Sequence, residues 1–279
     1  MARYLVFDIE TRVDKDLVKA VYDLENTLET LEQAYDKARD RILEQSGQKS
    51  DFFPVPYHIP ISISTLQADA NYRIQKLSYL SADNFPSEKE LIVKFWEIFG
   101  EPLNQPDGDG GKRPLPPLPT LITFNGRGFD LPVLETRALK FGIPLVRYFK
   151  EGYRGNRYAD THHIDLCDYL SNFGSFRRNS LDVLAKLVGL PGKYSIEGED
   201  VEYLHREGRQ KEIDQYCMTD VLQTWILFLR TELLCGKLDA KRYQDVIAAT
   251  RGYLTEEADK DGADNFLHDF LKRWKDAPE

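Results

Sequence analysis

The chain has 279 residues, of which 42% are hydrophobic and 30% charged, a balance typical of globular proteins. Its formal net charge of −9 argues against a broad basic surface for nucleic acid, although local binding is still allowed. No apolar run has the length of a membrane span, and no basic and apolar leader precedes the first predicted strand. The three cysteines, Cys167, Cys217 and Cys235, are scattered and offer no zinc spacing. We therefore expect a cytoplasmic protein.

The first predicted strand, residues 3–11, ends in two acidic residues, Asp8 and Glu10. Because side chains alternate along a strand, both carboxylates face the same side. Two carboxylates on one buried face repel each other unless their pKa rises or a cation binds. Hard divalent ions such as Mg²⁺ and Mn²⁺ prefer carboxylate oxygens. We interpret Asp8 and Glu10 as metal ligands; the alternative is a solvated strand end.

The segment after this strand has apolar residues at alternating steps of four and three, which predicts one long helix over residues 16–44. The helix either packs on its own domain or forms the seam of a homodimer. Few flanking positions carry matched opposite charges, so the coiled coil is the weaker alternative. The repeat consists of Leu17, Val21, Leu24, Leu28, Leu31, Tyr35, Ala38 and Ile42.

The rest of the chain predicts a strand meander that gives way to alternating strands and helices. This order predicts an α/β fold with a mixed sheet, antiparallel at first and parallel later. Pro60 predicts an edge or a strand start for the second strand. Residues 101–119 are rich in Pro, Gly and Asp and predict a loop. The predicted strands are 58–66, 72–80, 121–124 and 163–166, and the predicted helices end near 99, 140, 187 and 234.

Two further acidic residues have unusual settings. Asp130 follows a strand and a glycine turn at a helix start, where α/β proteins concentrate functional groups, although acidic residues also favour first helical turns in general. Asp220 lies four residues after Tyr216 on a largely apolar helix, so the two share a face. A buried Asp needs a partner or an ion, and the alternative is a Tyr–Asp hydrogen bond in a core helix.

Three stretches together resemble the motifs of the DEDD superfamily of 3′–5′ exonucleases, in the subgroup whose last motif carries Tyr. They are Asp8-Ile9-Glu10-Thr11, Asn125 to Asp130, and Tyr216 to Asp220. The second stretch has the Asn-x-x-x-Phe-Asp form seen in proofreading domains of family-B DNA polymerases. The chain most resembles stand-alone exonucleases related to those domains, over residues 3–10 and 52–235.

The resemblance implies a ribonuclease H-like fold. We expect one exonuclease domain over residues 1–279, with a helical insertion at about 14–46 and a helical C-terminal extension at about 238–279. The implied reaction releases nucleoside 5′-monophosphates from the 3′ end of single-stranded DNA by a mechanism with two divalent cations, Mg²⁺ or Mn²⁺.

The resemblance also implies residue roles. Asp8 bridges both ions, Glu10 and Asp220 complete the first site, and Asp130 serves the second. Tyr216 orients the attacking water. These five are the predicted catalytic residues, and the four acids are the predicted metal ligands.

The predicted substrate contacts follow the same motifs. Phe129 is placed to wedge terminal bases, and Asn125 and Arg127 lie in the glycine turn, within reach of a phosphate. Lys193, in a Pro-Gly-Lys loop, is a candidate clamp on the nucleic-acid backbone. Thr11 is added because it belongs to the first motif.

Two other functions stay open at the level of sequence. A ribonuclease that trims RNA 3′ ends shares the motifs, because none of these residues senses a 2′-hydroxyl group. A non-catalytic nucleic-acid-binding module would keep the fold, although the presence of all four acids and the tyrosine argues against it.

Overall fold

The computed structural model describes residues 3–23, 27, 30–103, 115–155, 157–158, 160–193, 200–260 and 265–275. Among them, five strands form one sheet in the order β3-β2-β1-β4-β5. The strand β1 pairs antiparallel with β2 and parallel with β4, and β4 pairs parallel with β5. The predicted α/β fold with a mixed sheet is therefore confirmed. The strands are β1 (Tyr4–Val13), β2 (His58–Ala68), β3 (Ile74–Ser81), β4 (Thr120–Thr123) and β5 (His163–Asp165).

Helices flank both faces of this sheet, and their ends follow ordinary capping chemistry. Ser87 caps α3 by accepting a hydrogen bond from the Glu90 N–H, and Gly100 ends that helix at φ 119°, a conformation that favours glycine. The helices are α1 (Lys15–Tyr22), α2 (Leu31–Gln45), α3 (Glu88–Phe99), α4 (Asp130–Phe141), α5 (Val146–Lys150), α6 (Leu166–Leu170), α7 (Leu181–Leu187), α8 (Val201–Arg206), α9 (Gln210–Leu234), α10 (Ala240–Lys260) and α11 (Phe266–Arg273).

The central strand β1 separates two hydrophobic cores. Leu5, Phe7 and Ile9 face the core built with α3, α4 and α5. Val6 faces the other core, which is built largely by α9, α10 and α11. The next even-numbered residues of β1 therefore lie on the α9 side, and this alternation decides where Asp8 points.

The prediction of one long helix over residues 16–44 is wrong. Two helices, α1 and α2, occupy the segment, and a capping box at Thr30 and Gln33 starts the second. Two positions of the apolar repeat, Leu24 and Leu28, lie outside the described residues. Val18 and Ala38 pack against Val13 and Phe53 in a small separate core, so α1 and α2 pack against the rest of this chain.

Pro60 predicted that the second strand lies at a sheet edge or that the proline lies at a strand start, and only the second alternative is confirmed. The strand β2 lies between β1 and β3, so it is not an edge strand. However, β3 pairs with β2 only from Ser62 onward, and Pro60 faces β1 alone near the strand start. A proline is tolerated there because its missing N–H removes no bond to a second neighbour.

The two C-terminal helices join the core on the α9 side. Leu254, Ala258 and Phe270 are completely buried there. The Arg251 guanidinium lies 3.9 Å from the centre of the Trp274 ring, which fastens α11 to α10. Among the described residues, no helix combines the length and apolar character needed to cross a membrane.

Candidate active site

The site begins where β1 presents two carboxylates to helix α9. Asp8 and Glu10 follow Val6 on the same face of the strand, opposite Ser64 and Ser62 of β2. Helix α9 is apolar on most of its circumference and crosses this face as a buried helix. It brings Asp220 to the end of β1, more than 200 residues away in sequence.

Three carboxylates meet at this point. One oxygen each from Asp8, Glu10 and Asp220 can be chosen so that all three lie within 4.8 Å of one another. This spacing lets three carboxylates share one ion, whereas three unshielded negative charges at this distance repel strongly.

The fourth predicted acid, Asp130, lies at the same end of the sheet but is held by the backbone of β1. Its Oδ1 accepts a hydrogen bond of 3.1 Å from the Ile9 N–H. The pairing of β1 with β4 covers only Tyr4 to Val6, so the Ile9 N–H extends beyond the last β4 pairing. Asp130 takes the place of the missing strand because α4 starts directly after the turn that follows β4.

That turn is shaped by a buried acid from β5. The Asp165 carboxylate accepts hydrogen bonds from the backbone N–H groups of Asn125, at 2.8 Å, and Arg127, at 2.9 Å. Asn125 adopts φ 64°, in the left-handed region that Asn tolerates better than most residues. The turn therefore sends the chain sharply from β4 into α4 and fixes the position of Asp130.

Among the described residues, these carboxylates have too little positive charge nearby to compensate their own. Burial and the neighbouring acids raise the pKa of Asp8 and of Glu10 well above their ordinary values. Burial likewise raises the pKa of Asp130 and of Asp220 to about 7. The Lys193 ammonium opposes the rise at Glu10 and Asp220, but it does not cancel it.

Two neighbours that sequence reasoning missed hold the carboxylates in place. The Cys217 Sγ lies 3.3 Å from the backbone carbonyl oxygen of Asp8 and 3.7 Å from the side-chain Oδ2 of Asp8. The buried Gln223 amide donates a 3.2 Å hydrogen bond to Asp220 Oδ1. Both lie three residues from Asp220 along α9, a spacing that could have identified them because such residues share a helix face.

Tyr216 lies beside this group and is mostly buried, packed against Ile61, Leu204 and Ile213. Burial and the negative charges of Asp220, Glu10 and Asp8 raise its pKa. The phenol therefore keeps its proton at neutral pH, so it is able to donate a hydrogen bond.

The carboxylates line an open cleft of about 400 Å³. Its aromatic side includes Phe124, Phe129 and Phe52, and Phe52 was not predicted because no pattern marks it in the sequence. The Phe52 ring stacks on His58 at 4.8 Å and lies 5.5 Å from the Phe129 ring. Phe52 is 60% exposed, so this aromatic surface is open to a ligand.

The predicted substrate contacts divide into two groups. Asn125 and Phe129 line the cleft, and Lys193 is exposed within electrostatic reach of the acids. Thr11 instead bonds to His58 Nδ1 at 2.9 Å, and it does not line the cleft. Arg127 lines a neighbouring cavity, where it donates to the His163 carbonyl at 2.6 Å. The geometry therefore does not bring Thr11 or Arg127 to the acids.

The donor set fits a hard divalent cation. The group is made of carboxylate oxygens alone, as Mg²⁺ and Mn²⁺ prefer, and His58 is already engaged on both ring nitrogens by Thr11 and the Phe53 carbonyl. The raised pKa values indicate unsatisfied negative charge, which a cation would neutralise.

The fold and the grouped acids define the class of DEDD-type exonucleases, which use divalent metals. Residues 50–274 match the model of a family described as predicted 3′–5′ exonucleases related to the exonuclease domain of PolB. The chain therefore belongs to this family and is a 3′–5′ exonuclease. The match begins after α2, so Asp8 and Glu10 lie outside the matched residues.

Similar proteins include archaeal DNA polymerases. The chain is 31% identical to DNA polymerase 1 of Saccharolobus solfataricus over 144 residues, which cover 46% of this chain and 14% of that protein. It is 26% identical to the DNA polymerase of Thermococcus aggregans over 189 residues, covering 62% of this chain and 10% of that protein. These matches thus span between 10% and 14% of the length of those relatives. A solved structure of exonuclease I gives a TM-score of 0.42 at 9% identity, over 94% of this chain and 45% of that one, a similarity too low to inform function.

Proposed function

We propose that this exonuclease releases nucleoside 5′-monophosphates from single-stranded DNA 3′ ends, with two divalent cations bound by its carboxylates. The observation that carries the proposal is the meeting of Asp8, Glu10 and Asp220 within 4.8 Å, in the cleft that Asp130 also lines. DNA is favoured over RNA because the relatives are DNA polymerases.

The four acids divide into two sets of ligands. Asp8, Glu10 and Asp220 would hold one ion, and Asp8 with Asp130 would hold the second. Bound there, the ions would supply activation of water and neutralisation of charge at the phosphate. The hydrogen bond from the Ile9 N–H to Asp130 Oδ1 fixes the orientation of this carboxylate.

The chain's own groups then orient the reactants. Tyr216 keeps its proton, so it donates a hydrogen bond and positions the attacking water instead of accepting its proton. Phe129 and Phe52 offer stacking surfaces for the unpaired bases of a single strand, and stacking tolerates any base sequence. Lys193 supplies a positive charge near the acids for the nucleic-acid backbone.

The assay follows a label on the 3′ end of single-stranded DNA, duplex DNA and RNA, each with Mg²⁺, Mn²⁺ or a chelator. We expect stepwise release of 5′-monophosphates from single-stranded DNA, dependent on the metal and abolished by Asp8→Ala. Release from Asp8→Ala at the rate of the unsubstituted protein would refute the site. Faster degradation of RNA would show instead that the enzyme is a ribonuclease.

A homodimer through residues 14–46 and a cytoplasmic location stay predictions. Val18, Ala34 and Ala38 of this segment are already buried within the chain, which leaves less apolar surface for a partner.

A further inference from the structure

A second cavity, of about 370 Å³, adjoins the metal-binding cleft, and Asn125 and Gly128 line both. It lies at the carboxyl ends of β4 and β5, between α4, α5 and the residues around α6. The carboxyl ends of parallel strands are the usual place for ligands in open α/β sheets. Of the residues predicted to contact substrate, Asn125 and Arg127 line this cavity.

The cavity is basic although the chain is acidic. Four arginines and two acids line it, so two positive charges are left over, while the whole chain has a net charge of −9. His163 adds no charge, because burial lowers its pKa well below the ordinary value. The charged lining residues are Arg127, Arg154, Arg157, Arg178, Glu135 and Asp168.

One buried carboxylate organises two of these arginines. Asp168 accepts hydrogen bonds from Arg157 Nε at 2.9 Å and from Arg178 Nη2 at 2.7 Å. Because a single negative charge faces two guanidinium groups, one positive charge stays available. Arg178 Nη1 also donates to Asn125 Oδ1 at 3.4 Å, which joins the basic cavity to the turn beside the acids.

Two buried polar atoms of the lining residues lack partners among the described residues. Arg127 Nε and His163 Nδ1 are both shielded from solvent without a hydrogen bond, and His163 is only 2% exposed. Burial also lowers the pKa of Arg127 despite the nearby acids. Neither atom is exposed to the cavity, so the groups that can contact a ligand there are the exposed guanidinium groups of Arg154, Arg157 and Arg178, whose preferred acceptor is an anionic oxygen.

We propose that this arginine cavity binds a backbone phosphate of the strand whose 3′ end lies in the metal-binding cleft. The inference rests on the proposed function, because it supposes a nucleic-acid strand in that cleft. Guanidinium groups match phosphate oxygens in two-pronged hydrogen bonds, and phosphate contacts fix the position of a strand whatever its base sequence. Continuity through Asn125 and Gly128 lets one strand occupy both sites.

The test measures binding in an Asp220→Asn background, so that the strand is held but not cleaved. A fluorescent single-stranded DNA hexamer and thymidine 5′-monophosphate are titrated at several salt concentrations. Adding Arg157→Gln should weaken hexamer binding about tenfold and lower the slope of log affinity against log salt by about 0.7, the value for one phosphate contact on a single strand. Mononucleotide binding should not change.

A second variant and a control complete the design. The Arg154 side chain is 68% exposed, so Arg154→Gln should not disturb the fold. Because Arg154 lines the cavity, the same change should weaken hexamer binding. Arg273→Gln removes an arginine of similar exposure, paired with Asp269 on α11, and should change nothing. Unchanged hexamer affinity and salt slope in both cavity variants would overturn the proposal.

Equal weakening of the mononucleotide would also overturn it, because the cavity would then take the phosphate of a free nucleotide. The proposed hydrolysis is tested separately, by nucleotide release from the unsubstituted protein. Failure of that assay would leave this binding result intact, so the two proposals can fail independently.

Discussion

At the scale of single residues, the site depends on side chains whose protonation the fold has changed. Burial of Asp220 raises its pKa to about 7, and the Gln223 amide fixes one of its oxygens. Burial, and then the charges of Asp220, Glu10 and Asp8, also raise the pKa of Tyr216, one turn earlier on α9. A cation on the carboxylates would remove the repulsion between the acids.

Replacing Tyr216 tests that separation of roles. We expect Tyr216→Phe to lower kcat by about tenfold or more, because it removes the group that we propose orients the attacking water. Affinity for Mn²⁺, measured by titration calorimetry, should stay the same since the phenol is not a ligand. Loss of Mn²⁺ binding in Tyr216→Phe would contradict the proposal that the phenol is not a metal ligand. The comparison is Asp8→Ala, which should lose Mn²⁺ binding.

At the scale of elements, one buried arginine fastens the start of the α1–α2 segment to α4 and α3. Arg137 of α4 donates to Asp14, the N-cap of α1, at 2.9 Å, and to Glu88 at the start of α3 at 2.8 Å. Its side chain is only 2% exposed. Lys15, the next residue, adds ion pairs of 2.8 Å to Glu32 of α2 and to Glu202 of α8, so the start of this segment is also held against α8.

The arginine anchor gives a stability prediction. Arg137→Met should lower the free energy of unfolding by about 3 kcal/mol, because within the described ranges it leaves the largely buried carboxylates of Asp14 and Glu88 with Lys140, which is half exposed, as their one cationic partner. Urea unfolding measures the loss. The matched change Arg39→Met breaks a solvent-exposed pair with Asp51 and should cost less than about 1 kcal/mol. Similar losses in the two variants would show that the anchor contributes little.

At the scale of the whole molecule, the acidic cluster couples folding to pH and to metal. In the metal-free protein the pKa of Asp130 and Asp220 is raised to about 7, above the value of about 3.9 in unfolded chains. The folded state then binds more protons than the unfolded state between these values. The contribution of these groups to stability is therefore present below about pH 4 and is lost as the pH rises to about 7.

Asp220→Asn isolates this effect from the titration of the rest of the chain. With a chelator present, the variant should be more stable than the unsubstituted protein at pH 8, on the order of 1 kcal/mol, and the difference should shrink toward pH 5. With Mn²⁺ the order should reverse, because the variant loses a ligand. Thermal unfolding across this range measures both. A variant less stable at pH 8 without metal would contradict the electrostatic account.

The sequence by itself determined the kind of element at most positions and which face each acid takes. Strand alternation placed Asp8 and Glu10 together, and the four-residue spacing placed Tyr216 with Asp220, because these local periods follow from backbone geometry alone. The family resemblance supplied the expectation that the acids meet. The sequence pattern did not distinguish one continuous helix from two helices, because the apolar repeat continues through Thr30, the N-cap of α2.

Only the tertiary structure decided the contacts between distant segments. The Ile9 N–H binds Asp130 because β4 is short, and Arg127 enters the basic cavity because Asp165 and His163 of β5 hold its backbone and side chain. Phe52 joins the cleft because its ring stacks on His58. Sheet order and the packing of helices on the sheet set these distances, and a one-dimensional pattern does not fix them.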